Sequence, residues 1–190
     1  ACTATIMYKM IGDDMAQMPT NIKGAMLTCI LSDTLEFRSP TTTQEDTAIA
    51  HALAKDLGVD IAEYAAQMFA AKSDVSSFSE AELLRMDSKE YEVDGKKFRV
   101  SVLETTSPAA VLNRKDALMA AMPGVATEDG ADQVLLFVVD ILNEEATMLI
   151  PNDFTKSVAE KSFGATVTGG SVVLPGVMSR KKQIIPNIKV

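Results

Sequence analysis

The sequence predicts an α/β chain, with a helical first part followed by a mixed sheet flanked by helices. Three observations carry that expectation. Apolar residues recur at helical spacing as far as Lys72, and a Ser-rich aperiodic stretch then interrupts the pattern at Ser73 to Ser79. Beyond it the order helix, hairpin, helix, strand, strand, helix, strand fits a mixed sheet covered by helices.

The elements follow in order. Ala1-Cys2-Thr3-Ala4-Thr5-Ile6-Met7-Tyr8-Lys9-Met10 has neither an initiating Met nor the charged-then-apolar plan of a signal peptide, and it reads as a helix entered midway. Truncation is the expectation. From Asn21 to Ser32 the residues Ile22, Ala25, Met26, Cys29 and Ile30 keep helical spacing, which places Asp33 at the carboxyl end of a buried helix. Thr42 or Thr43 can cap the next helix, each with a carboxylate three residues on, and Gly58 can end it after Leu57. Ile61, Tyr64, Ala65, Met68 and Phe69 mark another helix to about Lys72.

The Ser-rich stretch divides the chain into residues 1–73, a linker or hinge at 74–79, and a second domain at 80–190. Glu80 to Met86 predicts a short helix. Lys89 to Val93 and Lys97 to Val102 alternate around Asp94-Gly95, a hairpin signal. Val111 to Met122 reads as a helix stopped by Pro123-Gly124, and Val134 to Asp140 as a strand buried on both faces. Thr147 to Ile150, Phe154 to Phe163 and Ser171 to Leu174 complete the list as strand, helix and strand.

Composition prunes the function classes. Eighteen Lys and Arg against 26 Asp and Glu give a net charge of −8, so the average surface repels DNA and RNA but leaves room for a local anion site. The apolar run Val134 to Val139 is far short of the ~20 residues that span a bilayer, and no membrane partner is expected. Cys2 and Cys29 lack zinc-ribbon or redox spacing and read as buried thiols. His51 is the only histidine and is expected to face solvent, so a metal centre needing several imidazoles is beyond these residues. No phosphate loop, dinucleotide fingerprint or nucleophile elbow is present.

Three sites remain. Arg180-Lys181-Lys182 follows a strand, and an Arg fork beside Lys suits a phosphate group, although a bare basic triplet is more often a solvated turn. Asp33 follows the apolar run Leu27 to Ser32, where a carboxylate is costly unless it meets a cation or hydrogen-bond donors; a capping role is the commoner outcome. Lys89 opens a strand, where edge lysines are frequent.

Taken together, Ile30-Leu31-Ser32-Asp33-Thr34, Ser39-Pro40-Thr41, Asp87-Ser88-Lys89-Glu90, Val139-Asp140-Ile141-Leu142 and Ser179-Arg180-Lys181-Lys182-Gln183-Ile184-Ile185-Pro186 resemble family II inorganic pyrophosphatase, of the DHH phosphoesterase superfamily, in order and spacing. The resemblance implies the helical remainder of an N-terminal DHH domain joined to a C-terminal DHHA2 domain. It implies hydrolysis of pyrophosphate by a metal-activated hydroxide, with Mn2+ or Co2+ in the centre and Mg2+ on the substrate. Asp33 becomes a metal ligand, Lys89, Arg180 and Lys181 become catalytic cations, and Ser179 joins them in binding substrate. A cytoplasmic enzyme, homodimeric when full-length, is implied as well.

One departure stands out. The His and Asp cluster and the Asp-His-His motif that supply that family's other metal ligands do not occur here, so the chain is expected to be truncated and inactive alone. Exopolyphosphatase of the same superfamily and a non-catalytic phosphate-binding module are the alternatives. The exonuclease branch is disfavoured, because Gly169-Gly170 leads into Ser171 with no His following. Asp140 reads as a turn cap, and Asp13-Asp14 as part of a surface loop.

Overall fold

The computed structural model describes residues 1–190. They form two compact units, Ala1–Ala71 and Lys72–Val190.

The first unit is helical: α1 (Thr3–Ile11), a 3-10 turn over Gly12–Gln17, α2 (Thr20–Thr34), α3 (Gln44–Leu57) and α4 (Ile61–Lys72). Local chemistry sets the start and stop of α3. Thr43 and Asp46 form a reciprocal capping box, and Gly58 closes the helix in the left-handed conformation at φ 67°. Met26, Leu27, Ile30, Leu31, Leu53, Ala65 and Phe69 build the core. His51 is exposed and stacks on Phe37 with ring centroids 5.7 Å apart.

Helix α2 is present as expected, but it is rotated relative to the face that its apolar spacing suggested. Lys23, Met26, Leu27, Ile30, Leu31 and Thr34 face inward, whereas Ile22, Ala25, Cys29 and Asp33 are exposed. Cys29 is therefore not a buried thiol, although Cys2 is. Two apolar stripes run along this helix, and spacing alone does not say which one meets α3. Burial of Met26, Leu27, Ile30 and Leu31 decides it, and Lys23, carried inward with them, reaches Asp56 at 2.5 Å and the Ala16 carbonyl at 3.3 Å, which satisfies its charge.

The second unit carries α5 (Glu80–Met86), β1 (Ser88–Val93), β2 (Lys96–Thr105), α6 (Pro108–Leu112), α7 (Lys115–Glu128), β3 (Gln133–Asp140), β4 (Glu145–Leu149), α8 (Asp153–Phe163) and β5 (Ser171–Pro175). Its five-stranded sheet runs in the order β1-β2-β3-β4-β5. Strands β2 and β3 are parallel and all other pairs antiparallel, which makes the sheet mixed. The hairpin turns at Asp94 and Gly95 with φ 51° and 74°, the left-handed pair that a two-residue turn requires. Every residue of β3 from Val134 to Asp140 is buried. Val134, Leu136 and Val138 join Leu83, Leu84, Leu118, Met122 and Val125 in one cluster, while Phe137 meets Phe163 of α8 edge-on at 6.0 Å. Helices thus cover both faces.

One expectation changes in detail. Helix α7 does not stop at Pro123-Gly124 but continues to Glu128, with Pro123 exposed inside it. Burial of Met122, Val125 and Ala126 on the sheet side outweighs the hydrogen bond that Pro123 cannot donate. The Ser-rich stretch, which the sequence reads as a linker or hinge, is hydrogen-bonded to the second unit. Ser73 and Val75 are buried, Ser73 Oγ accepts from the Thr106 N–H at 3.0 Å, and Arg114 donates to the Val75 and Phe78 carbonyls at 3.2 and 2.8 Å.

Candidate functional site

The strand directions determine where the basic triplet can go. Because β5 runs parallel to β2 and β3 while β1 runs against them, the last residue of β5 and the first residue of β1 lie toward one end of the sheet. They are also on opposite edges, about 19 Å apart at ~4.8 Å per strand spacing. Arg180 nevertheless donates from Nη1 to the Asp87 carbonyl at 2.9 Å and from Nη2 to the Asp87 carboxylate at 2.8 Å. Asp87 immediately precedes β1. The chain beyond β5 therefore returns across the sheet end and delivers Arg180 beside the strand that carries Lys89.

This return is shaped locally. Gly176 takes φ 73°, and its N–H donates to the Glu144 carbonyl at 2.9 Å. Met178 is buried and anchors the segment. Gln183 then closes it from inside: its Oε1 accepts from the N–H groups of Met178 and Ser179, both at 2.9 Å, and its Nε2 donates to the Gly176 carbonyl at 2.6 Å. Arg180–Ile184 form a π-helical turn capped by Ser179, whose hydroxyl accepts from the Lys182 N–H at 3.3 Å. Accepting there, the half-buried Ser179 hydroxyl keeps its own hydrogen for donation.

Of the cations singled out, Arg180 is held: its side chain is 14% exposed and ion-paired to Asp87. Lys89 and Lys181 are exposed, with no ion pair to their ammonium groups. Since Lys89 stands two residues after Asp87, its Cα lies within about 7 Å of the residue that grips Arg180. The fold thus brings Ser179, Arg180, Lys181 and Lys89 to one end of the second unit.

Asp33 belongs to the other unit. It sits in the last turn of α2 and is exposed, so the desolvation argument made from its apolar neighbours does not hold for the folded chain. Just beyond it, Leu35, Glu36 and Phe37 adopt φ of 50°, 51° and 71°, three consecutive non-glycine residues in the left-handed region. That turn is held by Glu36 N–H to the Leu31 carbonyl and Ser39 N–H to the Thr34 carbonyl, each 2.9 Å. No group of three or more His, Cys, Asp and Glu side chains capable of holding a metal ion occurs in the chain. Asp140 acts as the expected turn cap, accepting from the N–H groups of Leu142 and Asn143 at 2.9 and 3.1 Å.

Two residues of the site escaped sequence reasoning. Asp87 and Gln183 both lie inside the motif strings, but a side chain that meets backbone N–H groups, or a residue 93 positions away, leaves no residue-type signature.

No helix is long and apolar enough to cross a membrane. The DHHA2 domain family matches residues 66–190. A protein of Lactobacillus acidophilus described as a probable manganese-dependent inorganic pyrophosphatase is 38% identical over 97% of this chain and 60% of its own length. One of Deinococcus radiodurans with the same description is 42% identical over 99% of this chain and 62% of its own length. Among solved structures, one described as a "putative family II inorganic pyrophosphatase" of Methanococcus jannaschii superposes with a TM-score of 0.82 at 31% identity, covering 97% of this chain and 62% of that one. The chain spans about three fifths of the length of the curated relatives it matches.

Proposed function

The chain belongs to the DHHA2 domain family, and from that premise we propose that it serves the hydrolysis of inorganic pyrophosphate to phosphate, its second unit gripping the substrate. The observation that carries this reading is the Arg180–Asp87 contact, which assembles Arg180, Lys181, Ser179 and the Lys89 strand from segments 93 residues apart. Similarity to relatives described as manganese-dependent inorganic pyrophosphatases supports the substrate and the metal.

In this reading Lys89, Arg180 and Lys181 bind the phosphate group that is not attacked and neutralise charge building on it as the bridging bond breaks. The planar Arg fork and the Ser179 hydroxyl orient its oxygens by directed hydrogen bonds, while the two ammonium groups supply charge. Asp33 is assigned one ligand position toward manganese. This chain's residues do not fit a complete manganese site, since one exposed carboxylate meets neither the ligand count nor the geometry of such a centre. The remaining ligands are assigned to the part of the enzyme that these residues do not include. The reading also takes free pyrophosphate rather than nucleic acid as substrate, in keeping with a net charge of −8, and extends to a cytoplasmic, homodimeric enzyme.

The test compares manganese-dependent phosphate release by this chain alone and by the chain joined to the N-terminal part of a curated relative. Release from pyrophosphate by the joined form only is the expected result. A joined form inert towards pyrophosphate but active on polyphosphate reassigns the activity to exopolyphosphatase. One inert on both, with pyrophosphate still bound, leaves a binding module.

A further inference from the structure

Arg180 is held at two points by one residue, Asp87. The Asp87 carbonyl accepts two hydrogen bonds, from the Val102 N–H of β2 at 2.9 Å and from Arg180 Nη1 at 2.9 Å. The carbonyl is therefore fixed to the sheet independently of the arginine, and the Asp87 carboxylate adds a second contact to Nη2 at 2.8 Å. Two of the five guanidinium N–H groups are consumed, and three remain. Asp87 also terminates α5 and leads directly into the strand bearing Lys89. One residue thus links the two basic segments of the site.

We propose that Asp87 is a positioning residue for anion binding: it locks the Arg180 guanidinium at the head of β1 so that Arg180, Lys181 and Lys89 present one preformed site for a phosphate or diphosphate group. The inference rests on the substrate-gripping role assigned above to the second unit. The chemistry argues for positioning over simple charge. A carboxylate beside an anion site repels the anion, so if Asp87 acted only through its charge, removing it would tighten binding. If it acts by holding the guanidinium plane, removing the carboxylate leaves the Nη1 contact to the backbone carbonyl as a single pivot, the ligand must supply the orientation that the second contact gave, and binding weakens.

The two roles have opposite signs, which makes the test direct. Binding of pyrophosphate, and separately of inorganic phosphate, to this chain is measured by calorimetry for the native sequence, Asp87→Ala and Asp87→Asn, with melting temperatures recorded alongside. The expected result is about a tenfold loss of pyrophosphate affinity in Asp87→Ala. In Asp87→Asn, whose amide oxygen accepts the same hydrogen bond without the charge, affinity returns at least to the native level. A native chain that binds both ligands alike assigns the site to a single phosphate group, and one that favours pyrophosphate assigns it to a diphosphate; the positioning role stands in either case. Unchanged or tighter binding in a folded Asp87→Ala chain overturns the inference while leaving the grip itself intact. Asp87→Asn as weak as Asp87→Ala at equal melting temperature overturns it as well. A native chain that binds neither ligand overturns the grip and the inference together.

Discussion

The backbone N–H of Cys2 donates to the Asp46 carboxylate at 2.8 Å, joining the start of α1 to the start of α3. The same carboxylate accepts from the Thr5 hydroxyl at 2.6 Å and from the Thr43 N–H and hydroxyl at 2.9 and 2.7 Å, and the residue is 1% exposed. Burial pushes the Asp46 carboxyl up, but the donors together outweigh it and bring it down to about 2. Because the folded value lies below the unfolded one, the stabilisation is present above pH 3.8 and is lost as pH falls through about 2. It amounts to about 2 kcal/mol at neutral pH. Asp46→Asn is expected to cost about 2 kcal/mol, because its amide NH2 meets donors where an acceptor is needed. Urea unfolding of the first unit at pH 7 and pH 2 checks this, with native and variant converging at the lower pH.

Arg180→Lys is not a mild change. Lysine keeps the charge but cannot span the Asp87 carbonyl and carboxylate together, so pyrophosphate binding is expected to fall about tenfold although net charge is unaltered. Lys89→Ala and Lys181→Ala each remove an exposed charge, and each should weaken binding with a reduced dependence on salt. Calorimetric titration over a range of ionic strength separates the two effects.

Gln183→Ala removes three hydrogen bonds that brace the backbone of Gly176, Met178 and Ser179 while leaving the Arg180, Lys181 and Lys89 side chains unaltered. The π-helical turn should lose its definition, and pyrophosphate affinity should fall as far as in Arg180→Lys with the rest of the second unit still folded. Amide hydrogen exchange confined to residues 176–184 is the measurement.

Arg114 holds the Ser-rich segment through the Val75 and Phe78 carbonyls and pairs with Glu80 at 2.7 Å. Arg114→Ala should release residues 74–79 and raise their rate of proteolytic cleavage several-fold, while the melting temperature of the sheet changes little. Equal cleavage in native and variant chains would show that the clamp does not restrain this segment.

Pro123 is exposed at an interior position of α7. Pro123→Ala restores a donor to the helix ladder and loses no buried contact, so the second unit should gain about 1–3 kcal/mol, read as a higher melting temperature.

The limits of α3 and the hairpin were legible because their causes are local. Thr43 with Asp46, and Gly58, act within a few residues, and Asp94-Gly95 needs only its own backbone to turn. The strand Val134 to Asp140 was equally plain, since an unbroken apolar run suits a position covered on both faces. The candidate cations Lys89, Arg180 and Lys181 could be named from their motif strings, but how they combine could not.

What the tertiary structure alone decided involves choices between locally equal options. Helix α2 carries two apolar stripes, and only packing exposed Cys29 and Asp33 while turning Lys23 inward to Asp56. Pro123 looked like a stop until the sheet beneath Met122 and Val125 made continuing worthwhile. The meeting of Arg180 with Asp87 across the width of the sheet depends on strand order, which neither segment encodes by itself. Short-range hydrogen bonding is written residue by residue, whereas burial and long-range pairing exist only once the whole sheet has formed.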